Sequence, residues 1–83
     1  MKTMTYKIDG RFSPSTLAKF EKVGTLSNIQ ESLSWDGKII YSSDTITIDE
    51  ETAFSFLTIT SELDIKIRKN ISDENEIIIP YQV

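Results

Sequence analysis

The chain has 83 residues, a formal net charge of −4, and neither cysteine nor histidine. A chain of this length is expected to form one domain, residues 1–83, which buries only about 60 to 65% of the surface of its unfolded form. Without cysteine and histidine, disulfides, thiol nucleophiles, imidazole bases and most transition-metal sites are excluded. We therefore expect a protein that is not an enzyme and has no catalytic residues, metal or cofactor.

The charge is unevenly distributed along the chain. Residues 1–38 carry six basic and four acidic side chains, whereas residues 39–83 carry three basic and nine acidic ones. An acidic surface disfavours binding to nucleic acid, whose phosphates require positive contacts, and suits a protein partner with a basic surface. No signal peptide and no apolar stretch of about 20 residues is present, which predicts a cytoplasmic protein without membrane contact.

The N-terminal residues predict a strand followed by a short helix. Apolar residues alternate over residues 3–8, as in a half-buried strand. Ser13 is placed as N-cap and Pro14 at the first position of a helix over residues 14–23, which Gly24 ends. The predicted apolar side of this helix consists of Leu17, Ala18, Phe20 and Val23.

Residues 28–48 are rich in β-formers, and Asp36-Gly37 predicts a hairpin turn. A two-residue turn would pair Leu33 with Ile40. A three-residue loop with a left-handed Gly37 would pair Leu33 with Ile39, and we favour it because it collects more apolar side chains on one face.

The stretch that follows predicts the second helix, over residues 50–62. Asp49 is a plausible N-cap, and Glu50 and Glu51 lie in the first turn, where the helix dipole favours negative charge. The alternative is a strand over residues 53–60, whose side chains have high β propensity. We favour the helix because the polar positions form a clean stripe at a period of 3.6. Its predicted apolar face consists of Ala53, Phe56, Leu57, Ile59 and Leu63.

Three further strands are predicted. One covers residues 45–48, and residues 63–69 and 76–82 form two more, joined by a polar loop. Pro80 implies that the last strand lies at a sheet edge or is irregular there.

These elements predict a small α+β fold. We expect a mostly antiparallel sheet of about five to six strands, with two helices, at about residues 14–23 and 50–62, packed on one face.

The candidate partner-binding residues are one tryptophan and a set of carboxylates. Trp35 lies next to the hairpin turn, where it would anchor a partner if exposed or fill space if it faced the core. The carboxylates Asp49 to Glu51 lack the spacing and glycine of a calcium loop, so we interpret them as a charged helical turn. The carboxylates from which contacts to a basic partner would come are Asp44, Asp49, Glu50, Glu51, Asp73, Glu74 and Glu76.

Together these patterns favour a non-catalytic protein-binding module that masks a surface of a larger partner. The excess of isoleucine and lysine is what AT-rich coding produces, as in low-GC bacteria and their phages. This association suggests an inhibitor, immunity or antitoxin-type protein of a phage or mobile element. The alternative is an assembly subunit that self-associates through a sheet edge.

Overall fold

The computed structural model describes residues 2–80. Its helices and strands follow in the order β1 (Thr3–Asp9), α1 (Pro14–Val23), β2 (Gly24–Leu26), β3 (Gln30–Leu33), β4 (Ile39–Ser42), β5 (Thr45–Asp49), a 3-10 turn (Glu50–Thr52), α2 (Ala53–Glu62), β6 (Lys66–Lys69) and β7 (Asn75–Ile78).

Five strands form the main sheet, in the order β2-β5-β1-β7-β6. Every neighbouring pair is antiparallel except β1 and β7, which are parallel. Strands β3 and β4 form a separate two-stranded hairpin outside this sheet. Both helices contribute to one core against the sheet, which confirms the predicted small α+β fold.

The core lies between the helices and one face of the main sheet. In β5, Ile46 and Ile48 are buried beneath the helices, whereas Thr45 and Thr47 alternate onto the open face. The hydroxyls of Thr47 and Thr5 are hydrogen-bonded to each other across that open face, at 3.0 Å. The buried apolar side chains are Phe12, Phe20, Val23, Ile46, Ile48, Phe56, Ile65, Ile77 and Ile79.

Helix α1 begins as the sequence predicts. Ser13 is extended and its hydroxyl accepts a hydrogen bond from the Thr16 backbone N–H at 3.3 Å, while Pro14 occupies the first helical position. The apolar side is partly wrong: Ala18 is exposed and Thr16 is buried. The Ser13 hydroxyl also donates to Thr16 Oγ1 at 3.2 Å, which satisfies the buried threonine.

Gly24 ends α1 in a different way from the one expected. Its backbone is extended, so the residue starts strand β2 and is not a left-handed cap. A Cβ here would lie 2.5 Å from the Thr47 carbonyl oxygen and 2.6 Å from Ile48 Cδ1. Glycine is therefore needed for the close approach of β2 to β5.

The second helix is confirmed, and the alternative strand over residues 53–60 is wrong. The helix begins later than predicted, at Ala53, because Glu50–Thr52 form a 3-10 turn. Asp49 is the N-cap of that turn and not of α2, and its side chain makes no capping hydrogen bond. Phe56 is buried as predicted, whereas Leu57 is exposed. Thr60 is buried in its place, and its hydroxyl donates to the Leu57 carbonyl oxygen at 2.9 Å.

The C-terminal strands are shorter than predicted. Leu63 caps α2 and Asp64 is left-handed, with φ of 57°, so β6 begins only at Lys66. Of the two alternatives that Pro80 implied, the sheet edge is wrong, because β7 lies between β1 and β6, whereas the irregular end is confirmed. The regular strand ends at Ile78, before Pro80, so the missing proline N–H interrupts no ladder bond. The predicted strand residues 81 and 82 lie outside the described part of the chain.

Two phenylalanines of α2 test this packing as a matched pair. Phe56 is 1% exposed and Phe54 is 82% exposed. We expect Phe56→Ala to lower the free energy of unfolding by about 3 to 5 kcal/mol, since it opens a cavity in the core. Phe54→Ala should change it by no more than about 0.5 kcal/mol. Chemical denaturation of both variants checks this, and equal effects would contradict the orientation of α2.

Candidate functional site

A tight three-residue loop, Trp35 to Gly37, closes the hairpin of β3 and β4. The Ser34 N–H donates to the Lys38 carbonyl oxygen at 2.8 Å, and the Gly37 N–H donates to the Ser34 carbonyl oxygen at 2.9 Å. Gly37 is left-handed, with φ of +83°. Leu33 pairs with Ile39, so the favoured register is confirmed.

Trp35 lies at the tip of this loop with 91% of its surface exposed, so the core-filling alternative is wrong. Side chains around it brace the loop. The Ser34 hydroxyl donates to the Asp36 carboxylate, which also accepts from the Lys38 N–H at 3.4 Å. The Ser34 hydrogen bond, more than any other contact, lowers the pKa of Asp36. An exposed indole is thus carried on a loop with defined backbone bonds.

The hairpin is attached to the core at its base. Phe12 and Tyr41 exchange two backbone hydrogen bonds, of 2.9 and 2.8 Å, and their rings stack with centroids 6.5 Å apart. The pKa of Tyr41 is raised, mainly by partial burial and next by the negative charge of the nearby Glu31. The Tyr41 hydroxyl donates a hydrogen bond to Glu31 at 3.3 Å.

Further from the base, the hairpin has one face that is apolar and exposed. Leu33 and Ile39 are directly opposite each other, and both are open to solvent. Together with Trp35 they form what we call the hairpin surface. Sequence alternation could not show this exposure, because the same pattern describes a strand covered by the core.

Three of the candidate carboxylates lie on β7 and in the turn that precedes it, each beside a basic side chain. Asp73 and Lys69 are 3.5 Å apart, and Glu74 lies 3.1 Å from Lys7. Glu76, the least exposed of the three, accepts from Arg68 Nε at 2.9 Å. These cations offset much of the negative charge of the turn.

The other carboxylates lie elsewhere. Asp44 precedes β5 and accepts a hydrogen bond from Asn28 Nδ2 at 2.7 Å. Asp49 is at the opposite end of the same strand, where Glu50 and Glu51 continue into the 3-10 turn before α2. Among the ion pairs of residues 2–80, none involves these last three carboxylates.

A second surface, which the sequence did not indicate, is an apolar groove between α2 and strands β1 and β5. Its volume is about 390 Å³, and it is open to solvent. We call it the α2 groove. Met4 and Leu57, both partly exposed, belong to patterns that predict core positions, so periodicity alone gave no sign of it. Its lining includes Lys2, Met4, Tyr6, Ile48, Asp49, Glu50, Ala53, Phe56 and Leu57.

Over residues 2–80, neither helix is long and apolar enough to cross a membrane. In the same part of the chain, no three acidic side chains are grouped so that they could hold a metal ion. No protein-family model, curated protein or solved structure matches the chain.

The loop geometry is tested by substitution of Gly37. A Cβ at this position would meet no atom within 4 Å, so any penalty comes from the left-handed backbone. We expect Gly37→Val to lower the free energy of unfolding by more than about 1 kcal/mol, because a β-branched residue is disfavoured at positive φ. Gly37→Asn should cost much less, since asparagine tolerates this conformation. Equal denaturation midpoints for the two variants would contradict the loop.

Proposed function

We propose that this chain is a non-catalytic protein-binding module that attaches to a larger protein through the hairpin surface. The observation that carries the proposal is the 91% exposure of Trp35 at the tip of a hydrogen-bonded loop. A large aromatic ring that enters a partner's pocket buries about 150 to 250 Å², and tryptophan is enriched at binding hot spots. The loop is already ordered, which lowers the entropic cost of binding.

The surroundings of Trp35 support this role. Leu33 and Ile39 extend the apolar area behind the tip, and both are exposed. Apolar contacts around a central aromatic exclude water from it, which strengthens the contact. The exposed carboxylates elsewhere on the molecule would act mainly by speeding the approach of a basic partner.

Within this proposal, the protein acts by masking a surface of its partner, as an inhibitor, immunity protein or antitoxin of a phage or mobile element does. Size and composition suggest that class by association only.

Replacing the indole tests the proposal. With a partner captured from host lysate and then purified, we expect Trp35→Ala to weaken binding at least about 30-fold, the effect of losing a hot spot of about 2 kcal/mol. Ile71→Ala is the matched control, since Ile71 is fully exposed in the turn between β6 and β7. Titration calorimetry gives both affinities, and equal affinities would remove the hairpin surface from the interface.

A second candidate function is self-association through the outer edge of β3. Ser34 bonds inward to Lys38, so by alternation the backbone groups of Glu31 and Leu33 point outward. The other three edge strands are better protected: β4 is bridged to Phe12 at Tyr41, β2 has three residues, and β6 carries Lys66, Arg68 and Lys69. Two copies of β3 related by a twofold axis at Ser32 would pair Glu31 of each with Leu33 of the other.

Sedimentation equilibrium tests this alternative. A dimer that Leu33→Glu dissociates would support edge pairing, because the change places two like charges directly opposite each other, at position 33 of one copy and Glu31 of the other. A monomer at every concentration up to the millimolar range would exclude it.

A further inference from the structure

The α2 groove has an apolar floor that belongs to the core and walls that are partly exposed. Tyr6 and Phe56 lie in the floor with ring centroids 5.0 Å apart, and Phe56 is part of the buried core. Met4 and Leu57 form the walls and are each about half exposed. A floor fixed by the core is formed before any ligand arrives, which lowers the cost of binding.

The groove continues outward along α2. Phe54, 82% exposed, lies three residues before Leu57, so the two side chains are neighbours on the helix surface. The volume of about 390 Å³ is at the small end of the range for ligand sites, about 300 to 1,000 Å³. Because the groove is open to solvent, it suits a segment of chain better than an enclosed molecule.

The charged residues in the lining indicate which charges a bound segment of chain should carry. Asp49, Glu50 and Lys2 belong to the lining, so two acidic residues and one basic residue border the groove, and Glu51 follows them in the chain. Within the described residues these carboxylates form no ion pair, in contrast to those of the turn between β6 and β7. The rim of the groove is therefore negative and available to cations.

We infer that the α2 groove binds a short segment of a partner protein in which large apolar side chains are flanked by lysine or arginine. This inference rests on the proposed protein-binding function, but on residues separate from the hairpin surface. The apolar side chains would lie on Tyr6 and Phe56 between Met4 and Leu57, and the flanking cations would face Asp49 and Glu50. The apolar floor supplies affinity, and the carboxylates supply the choice of partner and the rate of approach.

Two synthetic peptides of opposite charge test the inference. Acetyl-Lys-Lys-Leu-Phe-Lys-Lys-amide and acetyl-Glu-Glu-Leu-Phe-Glu-Glu-amide share the same apolar centre. In NMR titrations of the isotope-labelled protein at low salt, we expect the lysine peptide to shift the amides of Met4, Ile48 and Ala53. It should bind at least tenfold more tightly than the glutamate peptide. The difference should shrink above about 0.15 M salt, where the screening length is about 8 Å.

A pair of isosteric double variants distinguishes the effect of the groove carboxylates from the effect of the overall net charge of the protein. Asp49→Asn with Glu50→Gln should remove most of the preference for the lysine peptide while the apolar floor still binds. Glu62→Gln with Asp64→Asn removes the same charge at the C-terminal end of α2, outside the groove lining, and should leave the preference unchanged. If the two double variants behave alike, the rim assignment is overturned.

The remaining outcomes are also decisive. No amide shifts at the groove, equal binding of both peptides, or shifts confined to the hairpin would each overturn the inference. The hairpin proposal fails independently, because Trp35→Ala should leave the peptide titration unchanged while it weakens binding to the partner. A peptide that binds the groove normally, with a partner that tolerates Trp35→Ala, would support the groove and reject the hairpin.

Discussion

The rest of the structure depends on the packing of three phenylalanines against one face of the main sheet. Phe12, Phe20 and Phe56 are almost completely buried, and Phe12 meets Phe20 edge to face with centroids 5.4 Å apart. In a chain with no cysteine, this packing replaces the disulfides on which many small domains rely. The core fills the space between the helices and Ile46 and Ile77.

Because the core is complete without the hairpin and without the outer side of α2, the apolar residues of those two elements remain exposed. The hairpin contacts the core at its base, where Tyr41 stacks on Phe12, whereas Leu33, Trp35 and Ile39 are exposed to solvent. Isolated exposed apolar residues are ordinary, but adjacent ones on an ordered element are typical of binding surfaces. This is the physical basis of both the hairpin proposal and the groove.

Much of the fold could be predicted because local chemistry determines it. Ser13 and Pro14 indicate the start of α1, Gly37 determines the hairpin register, and the period of 3.6 identifies α2 despite its β-forming side chains. The predictions that failed concern features that depend on contacts between residues distant in sequence. Strand β2 exists because Gly24 approaches β5, and the inner position of β7 follows from its parallel pairing with β1. The exposure of Trp35 was one of two alternatives, and the α2 groove could not be foreseen, because exposure depends on what the core leaves uncovered.

Fluorescence of Trp35, the single tryptophan, tests the central claim most directly, namely that the indole is displayed on the hairpin and is free to enter a partner. The measurement is quenching of the native emission by iodide, compared with that of the protein unfolded in denaturant. The structure predicts similar emission maxima and similar quenching in the two states, because 91% of the side chain is already exposed. A blue-shifted native emission that iodide does not quench would show a buried indole and contradict the account.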